Sequence, residues 1–383
     1  MEVPFHKPHI TADEIAGVVN ALQSGWITMG PATVEFEDRF REYIGCKNAV
    51  SMSSCTACLH LALKAINLTE GDEVLVPAIT FTATAEVITY FKARPVLIDI
   101  DRHTGNIDVS KIDGKITGNT RAIIPVHYGG QPCDMDEIVG IAKARHLIVI
   151  EDAAHAVPAR YRQRQVGTIG DMTCFSFYAT KPLTTGEGGM LTTENDEWAE
   201  RIKVLRLHGI SQDAWKRYSK EGTWFYEVIE AGYKYNLTDL QAAIGLSQLR
   251  KIDWMWQRRK AIARQYTEAF QSIDTLMTPY VKPDRESSWH LYVLKLNLET
   301  LNIGRNQFIE ELKNRGIVTS VHFIPLYKHP FYRDTFSYSE NDFDRSEWFY
   351  ERIISLPIYP GMTDAQVHKV IDTVSELATR HKK

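Results

Sequence analysis

The opening stretch of the chain alternates apolar and polar positions with a helical period. Thr11-Ala12-Asp13-Glu14 supplies a cap and first turn, and Ile15, Val18, Val19 and Leu22 fall on one face before Gly25 breaks the pattern. A second amphipathic helix is predicted over about 32–43, with Gly45 ending it. From Ala49 to about Leu191 the rhythm changes to short apolar runs at 73–76, 95–98, 122–126 and 147–150, with helical patterns such as 56–67 and 134–145 between them. Continuous apolar strands separated by helices predict an α/β domain with a mostly parallel sheet covered on both faces. Ligands in such sheets bind beyond the carboxyl ends of the strands, so the residues just after each run matter most.

Downstream, a long helical pattern over 238–270, capped by Thr238-Asp239, predicts a connector to a smaller C-terminal α/β domain. Its strands are expected at 289–296, 318–323 and 353–356. The predicted organisation is an N-terminal segment 1–30, a large domain 31–250 and a small domain 251–383. A net charge of -4 argues against nucleic acid as the main partner. No apolar run has the length of a membrane span, the first residues lack a signal-peptide core, and five cysteines make no disulfide framework. These features predict a cytoplasmic protein of a reducing compartment.

Candidate chemistry gathers after the strands. Lys181 lies between an expected strand at 172–177 and the glycine-rich turn Gly186-Glu187-Gly188-Gly189, with Ser176 and Thr180 nearby. A surface lysine is ordinarily just solvated, but one lodged among apolar strands loses charge by desolvation and becomes a nucleophilic amine suited to a Schiff base. Asp152 follows directly after the run 147–150, in Glu151-Asp152-Ala153-Ala154-His155. By itself it suits a helix cap or a magnesium ligand; beside a Schiff-base lysine it suits a carboxylate facing a pyridinium nitrogen. His155 follows three residues later and suits either a core position or a cofactor contact.

Ser53-Ser54-Cys55-Thr56-Ala57-Cys58 opens a helix, where free N–H groups on Cys55, Thr56 and Ala57 favour a phosphate. The Cys55-x-x-Cys58 spacing also fits redox or zinc chemistry, without the flanking residues of the first or the further ligands of the second. Phe81, after the run 73–76, suits either the core or stacking on a flat ring. Gly232-Tyr233-Lys234-Tyr235-Asn236-Leu237-Thr238-Asp239 reads alone as a polar cap.

Together these motifs resemble the DegT/StrS-type nucleotide-sugar aminotransferases. Gly25-Trp26-Ile27-Thr28-Met29-Gly30-Pro31 and Val126-His127-Tyr128-Gly129-Gly130-Gln131-Pro132 extend the likeness, which runs in order from about Val3 to the C-terminus. The chain is especially similar to the branch containing the UDP-4-amino-4-deoxy-arabinose aminotransferases. The resemblance implies an aspartate-aminotransferase-like fold with a seven-stranded sheet, pyridoxal 5'-phosphate as cofactor, and a homodimer with active sites at the subunit interface. It implies amino transfer from L-glutamate to a keto group, at C4, of a UDP-linked sugar for surface-glycan or related amino-sugar synthesis.

Residue by residue, the resemblance assigns Lys181 to the Schiff base and Asp152 to the pyridinium nitrogen. It sets Phe81 on the ring and His155 beside it. Cys55, Thr56, Ala57 and Ser176 fall at the phosphate, and Asn236 at the neighbouring subunit's phosphate. Trp26, Thr28, Tyr178 and His322 fall in sugar-nucleotide regions. Tyr178 stands where relatives often carry His, and Cys55 where Gly or Ala is common. Similar sugar dehydratases carry His in place of the lysine, so Lys181 argues for amino transfer. A dehydratase, or a regulatory protein without catalysis, is the alternative on the same fold. No metal site is expected.

Overall fold

The computed structural model describes residues 1–211 and 225–383. In chain order the strands are β1 (Asn48–Met52), β2 (Glu73–Pro77), β3 (Arg94–Ile98), β4 (Thr120–Ile123), β5 (Ile148–Asp152), β6 (Arg160–Tyr161), β7 (Arg164–Gln165), β8 (Met172–Ser176), β9 (Gly189–Thr193), β10 (Leu276–Met277), β11 (Arg285–Glu286), β12 (Tyr292–Leu296) and β13 (Ile353–Leu356). The main sheet has seven strands in the order β1-β9-β8-β5-β4-β2-β3. Pairings from β8 to β3 are parallel, and β9 runs antiparallel to both its neighbours. This is the predicted α/β fold, with its mostly parallel seven-stranded sheet.

Burial explains why the strand runs lack alternation. Val74, Val76, Ala122, Ile124 and Ile150 enter one core with α3 (Cys55–Ala65), which follows α1 (Ala12–Ser24) and α2 (Pro31–Ile44) in the chain. Leu75, Ile98, Ile123 and Val149 enter the opposite core. There they meet Met135, Ile138 and Ala142 of α5 (Met135–Arg145), the helix after α4 (Ala83–Thr89). Each such Val, Leu, Ile or Met side chain contributes about 1.5–3 kcal/mol on full burial, so both faces demand apolar residues.

The predicted helix over 238–270 is two helices. After α6 (Asp196–Leu205), α7 (Asp239–Arg250) ends at Lys251, and α8 (Ile252–Phe270) begins beyond it. Lys251 leaves the helical region at φ -115° and ψ 10°. Ala242 of α7 stays in the core with Phe36, Phe40 and Phe175, while Ile262, Ala263, Tyr266 and Phe270 of α8 join the core around β12 and β13. Ile252 and Met255 at the start of α8 still pack with Ala242 of α7, so the change of core falls within α8, between Met255 and Ile262.

A second expectation fails at 318–323, which makes only a bridge from Ser320 to Ser355. The segment ends instead in His322 and Phe323, both in the cavity described below.

The N-terminal helix also turns its predicted face outward. Ile15, Val19 and Leu22 are exposed, while Glu14 and Ala21 are buried. Glu14 accepts from the Thr11 N–H at 2.7 Å and from Gln248 Nε2 at 2.8 Å, and pairs with Lys251 at 2.5 Å. Those bonds satisfy a buried carboxylate and turn the polar side of α1 onto α7. Nearby, Asp239 Oδ1 accepts from the Gly30 N–H at 2.8 Å and the Thr33 N–H at 3.0 Å, capping α2 from a distant part of the chain.

Candidate active site

The carboxyl ends of β1, β2, β5 and β8 open into one cavity of about 330 Å³. It brings together Cys55, Thr56, Phe81, Asp152, His155, Ser176, Tyr178, Lys181 and His322, nine of the residues singled out from the sequence. Phe5, Ser54, Thr80, His290 and Phe323 also line it. Phe5 and His290 come from remote segments with no strand-end signal. Thr80 stood one residue from Phe81 in a run just past β2, where position alone marked it.

Lys181 sits on a turn that bonds to itself. Its N–H donates to the Tyr178 carbonyl at 2.9 Å, the Phe177 N–H donates to Gly188 O at 2.8 Å, and the Thr185 N–H donates to Phe177 O at 2.9 Å. Desolvation of the amine, opposed by the Asp152 charge, lowers Lys181 to about 8. The residue is half-buried and lines the cavity. Such an amine is available as a nucleophile near neutral pH.

Asp152 is 5% exposed. Burial pushes its carboxyl up, opposed by donors from Thr84 Oγ1 at 2.7 Å and the Ala154 N–H at 3.1 Å, and by the Lys181 charge. Behind it, His127 Nδ1 accepts from the Cys133 N–H at 3.1 Å, so its proton sits on Nε2 and goes to Glu151 at 2.8 Å. His155 Nδ1 accepts from the Gly129 N–H at 3.3 Å, and burial beside Lys181 holds the ring well below the ordinary histidine value. His322, lowered to about 4 by burial, shares a hydrogen bond with Ser355 Oγ at 2.8 Å. The His155 and His322 rings are therefore neutral, and the cavity opposes Lys181 with Asp152.

At the start of α3, Ser54 Oγ takes the Ala57 N–H at 3.1 Å and Ser54 O takes the Cys58 N–H at 3.1 Å. The N–H groups of Cys55 and Thr56 have no carbonyl within the helix to meet, which suits an anion. Close approach of β9 shapes this corner: a Cβ on Gly189 would stand 2.5 Å from Ser54 C and 2.7 Å from Cys55 N. Burial pushes the Cys55 and Cys58 thiols up, and both are free, so neither is the activated thiolate that redox exchange needs.

Four expected residues lie elsewhere in this chain. Ala57 is buried beneath the helix start with its N–H already taken. Asn236 is buried and donates to Leu237 O at 3.0 Å. Trp26 lines a separate groove between α1, α2 and α7, and the Thr28 carbonyl accepts from the Asp239 N–H at 2.9 Å. The cavity residues fit pyridoxal phosphate in kind: a desolvated amine, a buried carboxylate, an open helix start for a dianion and an aromatic at the mouth.

Comparison with known proteins accords with this arrangement. The model of the DegT/DnrJ/EryC1/StrS aminotransferase family matches residues 8–375, and the chain belongs to that family. It is a pyridoxal-phosphate-dependent sugar aminotransferase. The spore coat polysaccharide biosynthesis protein SpsC of Bacillus subtilis is 49% identical over 376 residues, covering 98% of this chain and 97% of that protein. A Streptococcus pneumoniae protein designated a sugar aminotransferase, solved in its PLP form, superposes with a TM-score of 0.92 at 34% identity over 99% of each chain. PseC of Helicobacter pylori, an aminotransferase involved in the biosynthesis of pseudoaminic acid, superposes with a TM-score of 0.91 at 28% identity, over 99% of this chain and 100% of that one. Among the described residues no helix is long and apolar enough to cross a membrane.

Proposed function

We propose that the protein moves the amino group of L-glutamate to the C4 keto carbon of a UDP-linked sugar, in the branch of the arabinose-type aminotransferases, and that the product enters surface-glycan synthesis. The observation that carries the chemistry is the desolvated Lys181 amine sharing one cavity with buried Asp152. Likeness to a polysaccharide biosynthesis protein supports the glycan assignment. Entry of the Val321–Leu326 segment into the cavity through His322 and Phe323 supports a sugar-facing role for that segment.

Bound here, pyridoxal phosphate supplies an electron sink conjugated to the reacting carbon. Lys181 Nζ would be the amine that anchors the cofactor and, when free, the base positioned to take a proton from the donor and return it during amino transfer. A positioned base of this kind contributes about 10²–10⁴-fold. Asp152 would pair with the ring nitrogen, and Phe81 and His155 would pack beside the cofactor. Cys55 and Thr56 N–H groups, with the Ser176 hydroxyl, would hold the phosphate; the Ala57 N–H donates instead to Ser54 Oγ beneath them. Phe5, Tyr178 and Phe323 narrow the mouth and limit water.

The protein works as a homodimer in this reading. Ile15, Val19 and Leu22 form an exposed apolar stripe on α1, and Trp26, Thr28 and Asn236 lie outside their own chain's cavity. Both features suit a second copy whose site they complete.

The deciding experiment is an absorbance spectrum of the cofactor-loaded protein, before and after L-glutamate, for wild type and Lys181→Ala. Wild type should lose its visible band and gain one in the near ultraviolet, and the variant should show neither change at a comparable rate. A wild-type spectrum indifferent to glutamate would remove glutamate as donor. Normal turnover by Lys181→Ala would remove the lysine assignment.

A further inference from the structure

The segment from β2 into α4 carries Thr80 and Thr84, for which the reading above has no role. Thr84 is 0% exposed and Thr80 2%. Thr84 Oγ1 lies 2.7 Å from Asp152 Oδ2, and Thr80 Oγ1 lies 2.8 Å from Thr84 Oγ1. A carboxylate only accepts, so the one hydroxyl proton of Thr84 goes to Asp152. Thr84 must then accept from Thr80. Two buried hydroxyls thus form a directed chain, Thr80 to Thr84 to Asp152. Among the described residues, Thr84 is the side chain that donates to this carboxylate; its other oxygen takes the Ala154 N–H.

We propose that Thr84 is a positioning residue, oriented by Thr80, that holds the Asp152 carboxylate as an anion turned toward the ring nitrogen of the cofactor. The proposal rests on the reading of Asp152 given above. The surroundings explain the need. Lys181 faces Asp152 from the turn after β8 and His127 from beyond β4, while the thiols of Cys55 and Cys58 on α3 and of Cys174 on β8 stand near without pairing. His127 gives its proton to Glu151 and not to Asp152. Burial disfavours the anion, and a hydrogen bond to the charged form opposes that. The segment that brings Phe81 to the cavity mouth continues into α4, whose Thr84 steadies the carboxylate behind the cavity.

The test is a pH titration of the visible absorbance band of the cofactor-loaded protein. A positive ring nitrogen lowers the pKa of the lysine-linked nitrogen conjugated to it, so losing that charge raises the midpoint. Thr84→Val keeps the shape and deletes the donor. Its midpoint should rise by about one unit, with kcat down about tenfold and KM little changed. Thr84→Ser should restore the wild-type midpoint. Thr80→Ala, which removes only the orienting donor, should shift it the same way by less; it decides the matter if Thr84→Val fails to fold. Asp152→Asn is the reference and should give the largest shift. A shift in Asp152→Asn with none in the threonine variants would overturn this proposal alone. No shift in Asp152→Asn would overturn the Asp152 reading itself, and this one with it.

Discussion

Lys181 shows how far one residue is made by its surroundings. An amine at about 8 leaves roughly one in ten uncharged at pH 7, against fewer than one in a thousand for an ordinary lysine. Because the shift is downward, the neutral form gains as pH rises through 8 and is complete above it. Capture of pyridoxal phosphate by the apoprotein should therefore speed up about tenfold between pH 7 and a plateau above 8, as read by stopped-flow absorbance. A rate still climbing at pH 10 would mean an unshifted ammonium. The lysine, aspartate and aromatic were legible because each followed a strand run, where this sheet class puts its ligands. Thr84 and His290 were not. A buried threonine in a helix looks like any other, and His290 reaches the cavity from the segment just before β12, far along the chain.

At the scale of elements, strands were the easiest to read. Runs at 73–76 and 95–98 appear as β2 and β3 with ends moved by a residue, because a strand buried on both faces has no polar position to confuse it. The N-terminal helix was located correctly and faced wrongly. Apolar periodicity assumes that carboxylates face water, yet Glu14 is 2% exposed under the bonds of Thr11, Gln248 and Lys251. Those donors outweigh burial and hold its carboxyl at about 2. A depressed carboxyl stabilises the fold above its unfolded value, near 4.5, and the benefit fades as pH falls toward 2. Glu14→Ala should cost about 1–3 kcal/mol in urea unfolding at pH 7, with the difference from wild type shrinking below pH 4. An unchanged midpoint at pH 7 would mean that α1 docks on α7 through Ala21 and its backbone alone.

At the scale of the whole molecule, the exposed stripe on α1 and the residues outside the cavity meet in one prediction. Val19 is 43% exposed and Leu22 55%. Val19→Asp sets a charge in the stripe without touching the cavity. On the proposed dimer it should shift sedimentation toward the monomer and lower activity about tenfold at dilute protein, since a buried unpaired charge costs several kcal/mol. A stable, active dimer in that variant would move the interface elsewhere.

The chain alone determined the sheet class, the strand-end position of Lys181, Asp152 and Phe81, and the family, since these depend on local pattern and on order along the chain. Only the tertiary structure decided which side of α1 is buried, where 238–270 breaks, that His290 and Phe5 share a cavity with Lys181, and that Thr84 bonds Asp152 behind it. Those outcomes turn on partners distant in sequence. A carboxylate becomes buried only where donors from elsewhere meet it, and an amine loses its charge only where the folded chain keeps water away.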